Sequence, residues 1–174
     1  LVCQVPGEKE FEADQEFNKI AVIERHKGTG RTGVGILSGF GLRGGAIASS
    51  VSHDSHNIIV VGDNDADMEL AVNELVRTQG GYTIVENGAV SMTLALPIMG
   101  LMSDAGYENV NAMLKKMLVK AHQMGVPEAM EPFITLSFMA LPVIPELRIT
   151  PRGLFSVSEF CLLDTIRNGE DNGN

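Results

Sequence analysis

The sequence predicts an α/β domain, a mixed β-sheet with flanking helices and at least one antiparallel hairpin, in a single domain. Three observations predict it. Short β-branched runs alternate with segments of helical period. Two of those runs, Ile20 to Ile23 and Ile58 to Val61, are apolar without a break, as in strands covered on both faces. Asn87-Gly88 stands between two further runs, a hairpin signal that requires one antiparallel pair.

Asn18 to Arg25 (NKIAVIER) is the first strand. Gly28 to Gly45 is dense in glycine, which weakens any long element and predicts tight turns or backbone held close to a neighbour. Asn57 to Gly62 is a second buried strand. Asp65 to Gln79 places Met68, Ala71, Val72, Leu75 and Val76 on one helical face. Asn64 is its N-cap, Asp65 and Asp67 suit its positive end, and Gly80-Gly81 stop it. The hairpin joins Tyr82 to Glu86 with Ala89 to Leu96.

A second helix runs from about Tyr107 to Met124, with Val110, Met113, Leu114, Met117, Leu118 and Ala121 as its apolar stripe. Gly125 and Pro127 terminate it. Phe133 to Leu147 is apolar throughout, but Pro142 and Pro145 exclude a central strand or a long helix. Arg148 to Thr150 and Glu159 to Leu163 are short strands. The domain proper is expected over 18–166, after an irregular segment 1–17 and before a polar, disordered tail 167–174. The first residue is Leu1 rather than Met, and no signal segment follows, so the chain reads as a piece cut from a longer polypeptide.

With 174 residues and 44% hydrophobic side chains, the chain can bury a core without disulfides or a structural metal. Thirteen Lys and Arg against 22 Asp and Glu give a net charge of −9, which argues against nucleic acid and anionic membrane surfaces as partners. The longest uncharged stretch, Asn87 to Ser103, is broken by Pro97 and Gly100 and is too short to span a bilayer. Cys3 and Cys161 have no partner spacing, so a reducing, cytoplasmic setting is expected.

The densest chemical cluster is Ser52-His53-Asp54-Ser55-His56-Asn57, at the entry to a buried strand that would hold it rigidly. His53 and His56, three apart, would share one side of a helical turn, the spacing of a metal pair. Asp54 can orient either ring. The blander account is a set of turn caps. Glu24-Arg25-His26 ends the first strand and suits either a polar site or a surface ion pair. Gly28-Thr29-Gly30-Arg31-Thr32-Gly33 spells G-x-G-x-x-G, with Asp54 at a dinucleotide-like distance. The glycine-rich, β-like Val34 to Gly39 does not open the helix such a motif requires, so a turn is expected instead of a nucleotide site. His122 reads as a partly exposed helix residue, and Met113 and Met117 as core. Neither H-x-E with a later P-C-x-x-C nor H-E-x-x-H occurs.

Read in order, the clusters resemble a known family. Val22-Ile23-Glu24-Arg25-His26, Gly39-Phe40-Gly41-Leu42, Gly45-Ala46-Ile47-Ala48-Ser49, His53 through Gly62 and Asp67-Met68 look like the C-terminal domain of bacterial adenine deaminase, of the amidohydrolase superfamily. Leu96 through Ser103, Pro132-Phe133 and Leu136 through Leu147 fit the same pattern. The chain departs from it at Ser50, Ser52, Met99 and Arg148, where Thr, Ala, Ala and Lys are usual, and no titratable group is lost.

The resemblance implies hydrolysis of adenine to hypoxanthine and ammonia, in purine salvage. It implies a divalent metal, manganese or iron, on a (β/α)₈ barrel that precedes this domain and is absent here. The chain alone is then expected to be inactive and to work as a cap on that barrel, in a homo-oligomer. His53, Asp54 and His56 would face the barrel mouth in supporting or proton-relay roles. Glu24, Arg25, His26, Ser55 and Asn57 would contact the purine, and His53 and His56 are the only candidates here for a metal of their own. Two other readings stand beside it. One is an assembly or oligomerisation module using the apolar Phe133 to Leu147; the other is a nucleotide-binding domain using the glycines of 28–33.

Overall fold

The structure, a computed structural model, describes residues 17–163. The segment 1–16, most of the expected irregular start, and residues 164–174, which include the expected tail, lie outside the described residues. Nine strands and three helices follow one another among the described residues. They are β1 (Phe17–Ile23), β2 (Thr32–Ser38), β3 (Gly45–Ser49), β4 (Ile58–Gly62), α1 (Asp65–Arg77), β5 (Gly81–Glu86), β6 (Ala89–Ala95), α2 (Tyr107–Gln123), α3 (Pro132–Met139), β7 (Leu147–Thr150), β8 (Gly153–Ser156) and β9 (Cys161–Leu162). Six strands form one sheet in the order β2-β1-β4-β3-β5-β6, and β7-β8-β9 form a small second sheet. The α/β class with flanking helices stands. Antiparallel pairing, which the sequence required only at Asn87-Gly88, holds at every strand pairing among the described residues.

Strand alternation decides which side chains meet which layer. On one face Ile20, Val22, Ile47, Ile59, Val61 and Ile84 pack against α2 and α3 through Met117, Ala121, Phe133 and Leu136. On the other face the small Ala21, Ala46 and Ala48 join Ile58, Val60 and Val85 under Met68, Ala71 and Leu75 of α1. The two unbroken apolar runs of the sequence are β1 and β4, beside each other in the sheet and covered on both sides.

The local signals hold where they are local. Asn64 Oδ1 accepts from Asp67 N–H at 2.8 Å, capping α1. Asn87 and Gly88 both have positive φ, 49° and 79°, as a type I′ hairpin turn requires. The buried Asp67 carboxylate accepts from Gly88 N–H at 2.9 Å and joins the helix to that turn. His122 is half-buried near the C-terminal end of α2, with Nδ1 donating to the Val126 carbonyl at 3.0 Å. The apolar 133–147 run supplies the short α3, with Glu131 as N-cap and Pro132 in its first turn, and ends before Pro142. No helix among the described residues is long and apolar enough to cross a membrane.

Three strands depart from the sequence expectation, one of them the short β8 (GLFS), which pairs with both β7 and β9. β2 crosses the glycine-dense stretch, and β3 (GAIAS) carries only one β-branched residue. In β3 small side chains permit burial on both faces. In β2 glycine serves close approach: a Cβ at Gly33 would lie 1.9 Å from the Thr150 carbonyl, so the β7–β8 turn sits directly on the strand.

Candidate functional site

Antiparallel order brings four connections to one end of the large sheet. Ile23 pairs with Ile58, Ser49 with Tyr82 and Gly81 with Ala95, so the loops 24–31, 50–57, 78–80 and 96–106 emerge together. The polar clusters at 24–26 and 52–57, separate in sequence, share this rim.

The 24–31 loop is closed by Glu24. Its carboxylate accepts from the backbone N–H of His26, of Lys27 (2.7 Å) and of Thr29 (3.1 Å), and from the Thr29 hydroxyl (3.0 Å). These donors, Thr29 N–H foremost, hold its pKa down at about 2. Gly28 and Gly30 supply positive φ within the loop, and β2 follows. The G-x-G-x-x-G run therefore makes a hairpin connection. A strand stands where a nucleotide motif needs a helix, and the nucleotide-binding reading is overturned on that ground.

The 50–57 loop is a built turn, a single helix-type i→i−4 closure that the left-handed His56 stops from continuing into a helix. His56 N–H donates to the Ser52 carbonyl at 2.6 Å, and His56 itself has φ +49°. Ser52 N–H donates to His56 Nδ1 at 3.3 Å, which places the proton of the neutral ring on Nε2. Partial burial, then the positive fields of His53 and Arg25, lower the pKa of His56, so its ring stays neutral at neutral pH. The half-exposed His53 is gripped from α3: its N–H donates to Ser137 Oγ at 3.2 Å and its ring stacks on Phe138, centroids 5.5 Å apart. The two imidazole centroids are 5.8 Å apart. No hydrogen bond joins Asp54 to either ring among the described residues; its effect on His56 is a field that partly opposes the lowering.

The remaining candidates stitch the two loops together. His26 Nε2 donates to the Ser55 carbonyl at 2.6 Å. Arg25 N–H donates to Asn57 Oδ1 at 3.3 Å, and Asn57 Nδ2 donates to Ser55 Oγ at 3.0 Å. The Arg25 guanidinium turns toward the 96–106 loop, where Nη2 donates to the Met99 carbonyl. Asp54, Ser55 and His26 are exposed, whereas Asn57 is buried. Sequence reasoning assigned no role to Ser137, Phe138, Ser50 or Met99. The first two lie within the run Leu136 through Leu147 that carries the family resemblance, but its apolar character gives no sign of a grip on His53.

Among the described residues no group of three or more His, Cys, Asp or Glu side chains can hold a metal ion. His56 Nδ1 is already occupied by Ser52 N–H, so the imidazole pair offers too few donors for a closed site. What the rim does offer is a neutral ring with its proton on Nε2, a second ring whose nitrogens have no hydrogen-bond partner among the described residues, and exposed carboxylate and hydroxyl groups.

A family model described as "Adenine deaminase C-terminal domain" matches residues 2–161. The adenine deaminase of Desulfitobacterium hafniense (strain Y51) is 56% identical over 149 residues, covering 86% of this chain and 26% of that protein. That of Nitratidesulfovibrio vulgaris (strain Hildenborough) is 57% identical over 143 residues, covering 82% and 25%. That of Bacillus subtilis (strain 168) is 50% identical over 163 residues, covering 91% and 28%. The chain thus spans about a quarter of the length of the curated relatives it matches.

Proposed function

Because the chain belongs to the adenine deaminase C-terminal domain family, we propose that it caps the active site of a longer polypeptide that hydrolyses adenine to hypoxanthine and ammonia. In this reading the preceding part is a metal-dependent amidohydrolase barrel, working in purine salvage in the cytoplasm, as a homo-oligomer. The divalent metal, manganese or iron, belongs to that barrel and supplies the activated water that attacks the purine. This chain is not asked to hold it.

The chain contributes the rim. One observation carries the proposal: two imidazoles, fixed from different elements, stand partly open to solvent where four loops converge. Neutral His56 can donate through Nε2–H to a ring nitrogen of the purine. His53, with both ring nitrogens available, can take up or release a proton as ammonia departs. Asp54 and Ser55 stand beside them as exposed polar groups. Glu24 and Asn57 hold the loops in register, and His26 and Arg25 link them.

His53→Ala and His56→Ala in the full-length polypeptide should each lower kcat by at least about tenfold, roughly 1.4 kcal/mol of barrier. Unchanged kcat and KM with intact folding would reduce the cluster to scaffolding. Exposed Ile134, Phe138 and Val143 favour a second reading, assembly through the 133–147 segment. In that case polar substitutions at Ile134 and Val143, away from the Phe138 ring that stacks on His53, change the oligomeric state in sedimentation and leave kcat alone.

A further inference from the structure

We infer that the connection 97–102 is a preformed apolar knob through which this domain seats on the N-terminal part of its own polypeptide. The inference rests on the capping reading and names the contact that reading lacks. Ile98, Met99 and Met102 are 43%, 75% and 54% exposed, three large apolar side chains within five residues. A loop with conformational freedom would fold such groups back onto the domain, since fully burying one gains about 1.5–3 kcal/mol.

This loop is held out instead. Ile98 and Met102 exchange backbone hydrogen bonds at 3.1 Å in both directions. Ser50 Oγ, buried at the end of β3, donates to the Gly100 carbonyl at 2.7 Å. Arg25 from the end of β1 donates to the Met99 carbonyl, and its guanidinium lies so close to Gly100 that a Cβ there would be 2.1 Å from Nη1. Met99, at the tip, has φ +60°, a conformation that a non-glycine residue adopts at a cost of about 1–2 kcal/mol. Clamps from two strands and a strained tip present apolar side chains to solvent. That arrangement lowers the ordering cost of docking.

The occupant follows from position and length. The knob shares the rim with His53 and His56, through Arg25, whose N–H also bonds Asn57. The matched family is a C-terminal domain, and the chain accounts for only 26% of a relative such as that of D. hafniense. Most of such a polypeptide therefore lies on the N-terminal side, and that body is what the rim is placed to meet.

The test is methionine oxidation by hydrogen peroxide in the full-length polypeptide, read by peptide mass spectrometry in the native state and in guanidinium. Buried Met117 and Met124 serve as internal references for full protection. A seated knob should make Met99 and Met102 oxidise at least about tenfold more slowly native than unfolded. Native rates within about two- to threefold of the unfolded rates overturn the inference. Protection that disappears on dilution to the monomer assigns the knob to a second copy and overturns it as well. Reactive Met99 alongside inactive His53→Ala sinks the knob and spares the cap. Protected Met99 alongside fully active His53→Ala and His56→Ala spares the knob and sinks the cap.

Discussion

Gly100→Ala probes the clamp between Arg25 and the 97–102 loop. The added Cβ falls 2.1 Å from Arg25 Nη1, 2.6 Å from Nη2 and 2.7 Å from Cζ, so the guanidinium has to leave. Two costs follow. An alanine at φ +75° is strained by about 1–2 kcal/mol. The displaced guanidinium gives up its hydrogen bond to the Met99 carbonyl, worth about 1.5 kcal/mol, the low end for a charged donor because Arg25 is only partly buried. The sum is about 3 kcal/mol, large against a typical stability of about 5–15 kcal/mol but short of unfolding most domains. Gly28→Ala isolates the backbone cost, since φ is +59° there and nothing lies within 4 Å of the new Cβ. In an Arg25→Ala background Gly100→Ala should likewise cost only the strain. Urea unfolding of the four proteins of the cycle should then give a coupling of about 1.5 kcal/mol. Strict additivity, within about 0.5 kcal/mol, would mean that the guanidinium does not hold this loop.

Three further outcomes are expected. Asn18 is fully buried and brackets Leu42, donating to its carbonyl at 2.9 Å and accepting from its N–H at 3.1 Å, so Asn18→Ala should destabilise by about 2–4 kcal/mol in the same assay. Gly33→Ala meets the Thr150 carbonyl at 1.9 Å, whereas Gly35→Ala meets only side-chain carbons at 3.5 and 3.6 Å. The first should loosen the small sheet, seen as faster amide exchange in β7 and β8, and the second should leave it protected. The third outcome concerns acid. The Glu24 pKa is lowered from 4.5 to about 2, so its contribution is complete above about pH 4.5 and is lost as pH falls toward 2. His56 is lowered from 6.5, and the unfolded chain takes its proton first, so stability also declines as pH drops below 6.5. Glu24→Gln should flatten the lower part of a stability–pH curve and His56→Ala the upper part; parallel curves for all three proteins would contradict both assignments.

Much of the fold was legible because its signals span a few residues. The Asn64 cap, the Asn87-Gly88 turn and the Gly80-Gly81 stop are settled by backbone geometry within a turn or two, and each is where its residues imply. β2 and β3 were illegible for the opposite reason. Glycine in β2 answers to Thr150, more than a hundred positions away, and alanine in β3 answers to α1, so neither segment advertises its strand in its own composition. At the site, residue identity at 52–57 pointed to chemistry, and the spacing of His53 and His56 suggested a helical turn. The bond from His56 N–H to the Ser52 carbonyl closes one such turn, the positive φ of His56 ends it there, and Asp54 bonds neither ring.

By itself the sequence determined the local elements, the type of chemistry available at 24–26 and 52–57, and, through the order of its motifs, the family. Tertiary structure alone decided which of those groups meet. Ser137 reaches His53 across 84 positions and Arg25 reaches Met99 across 74. Such contacts depend on strand order in an antiparallel sheet, which sends four distant loops to one end. Strand order is an outcome of how the apolar faces of all the elements pack together, and no short stretch of residues encodes it.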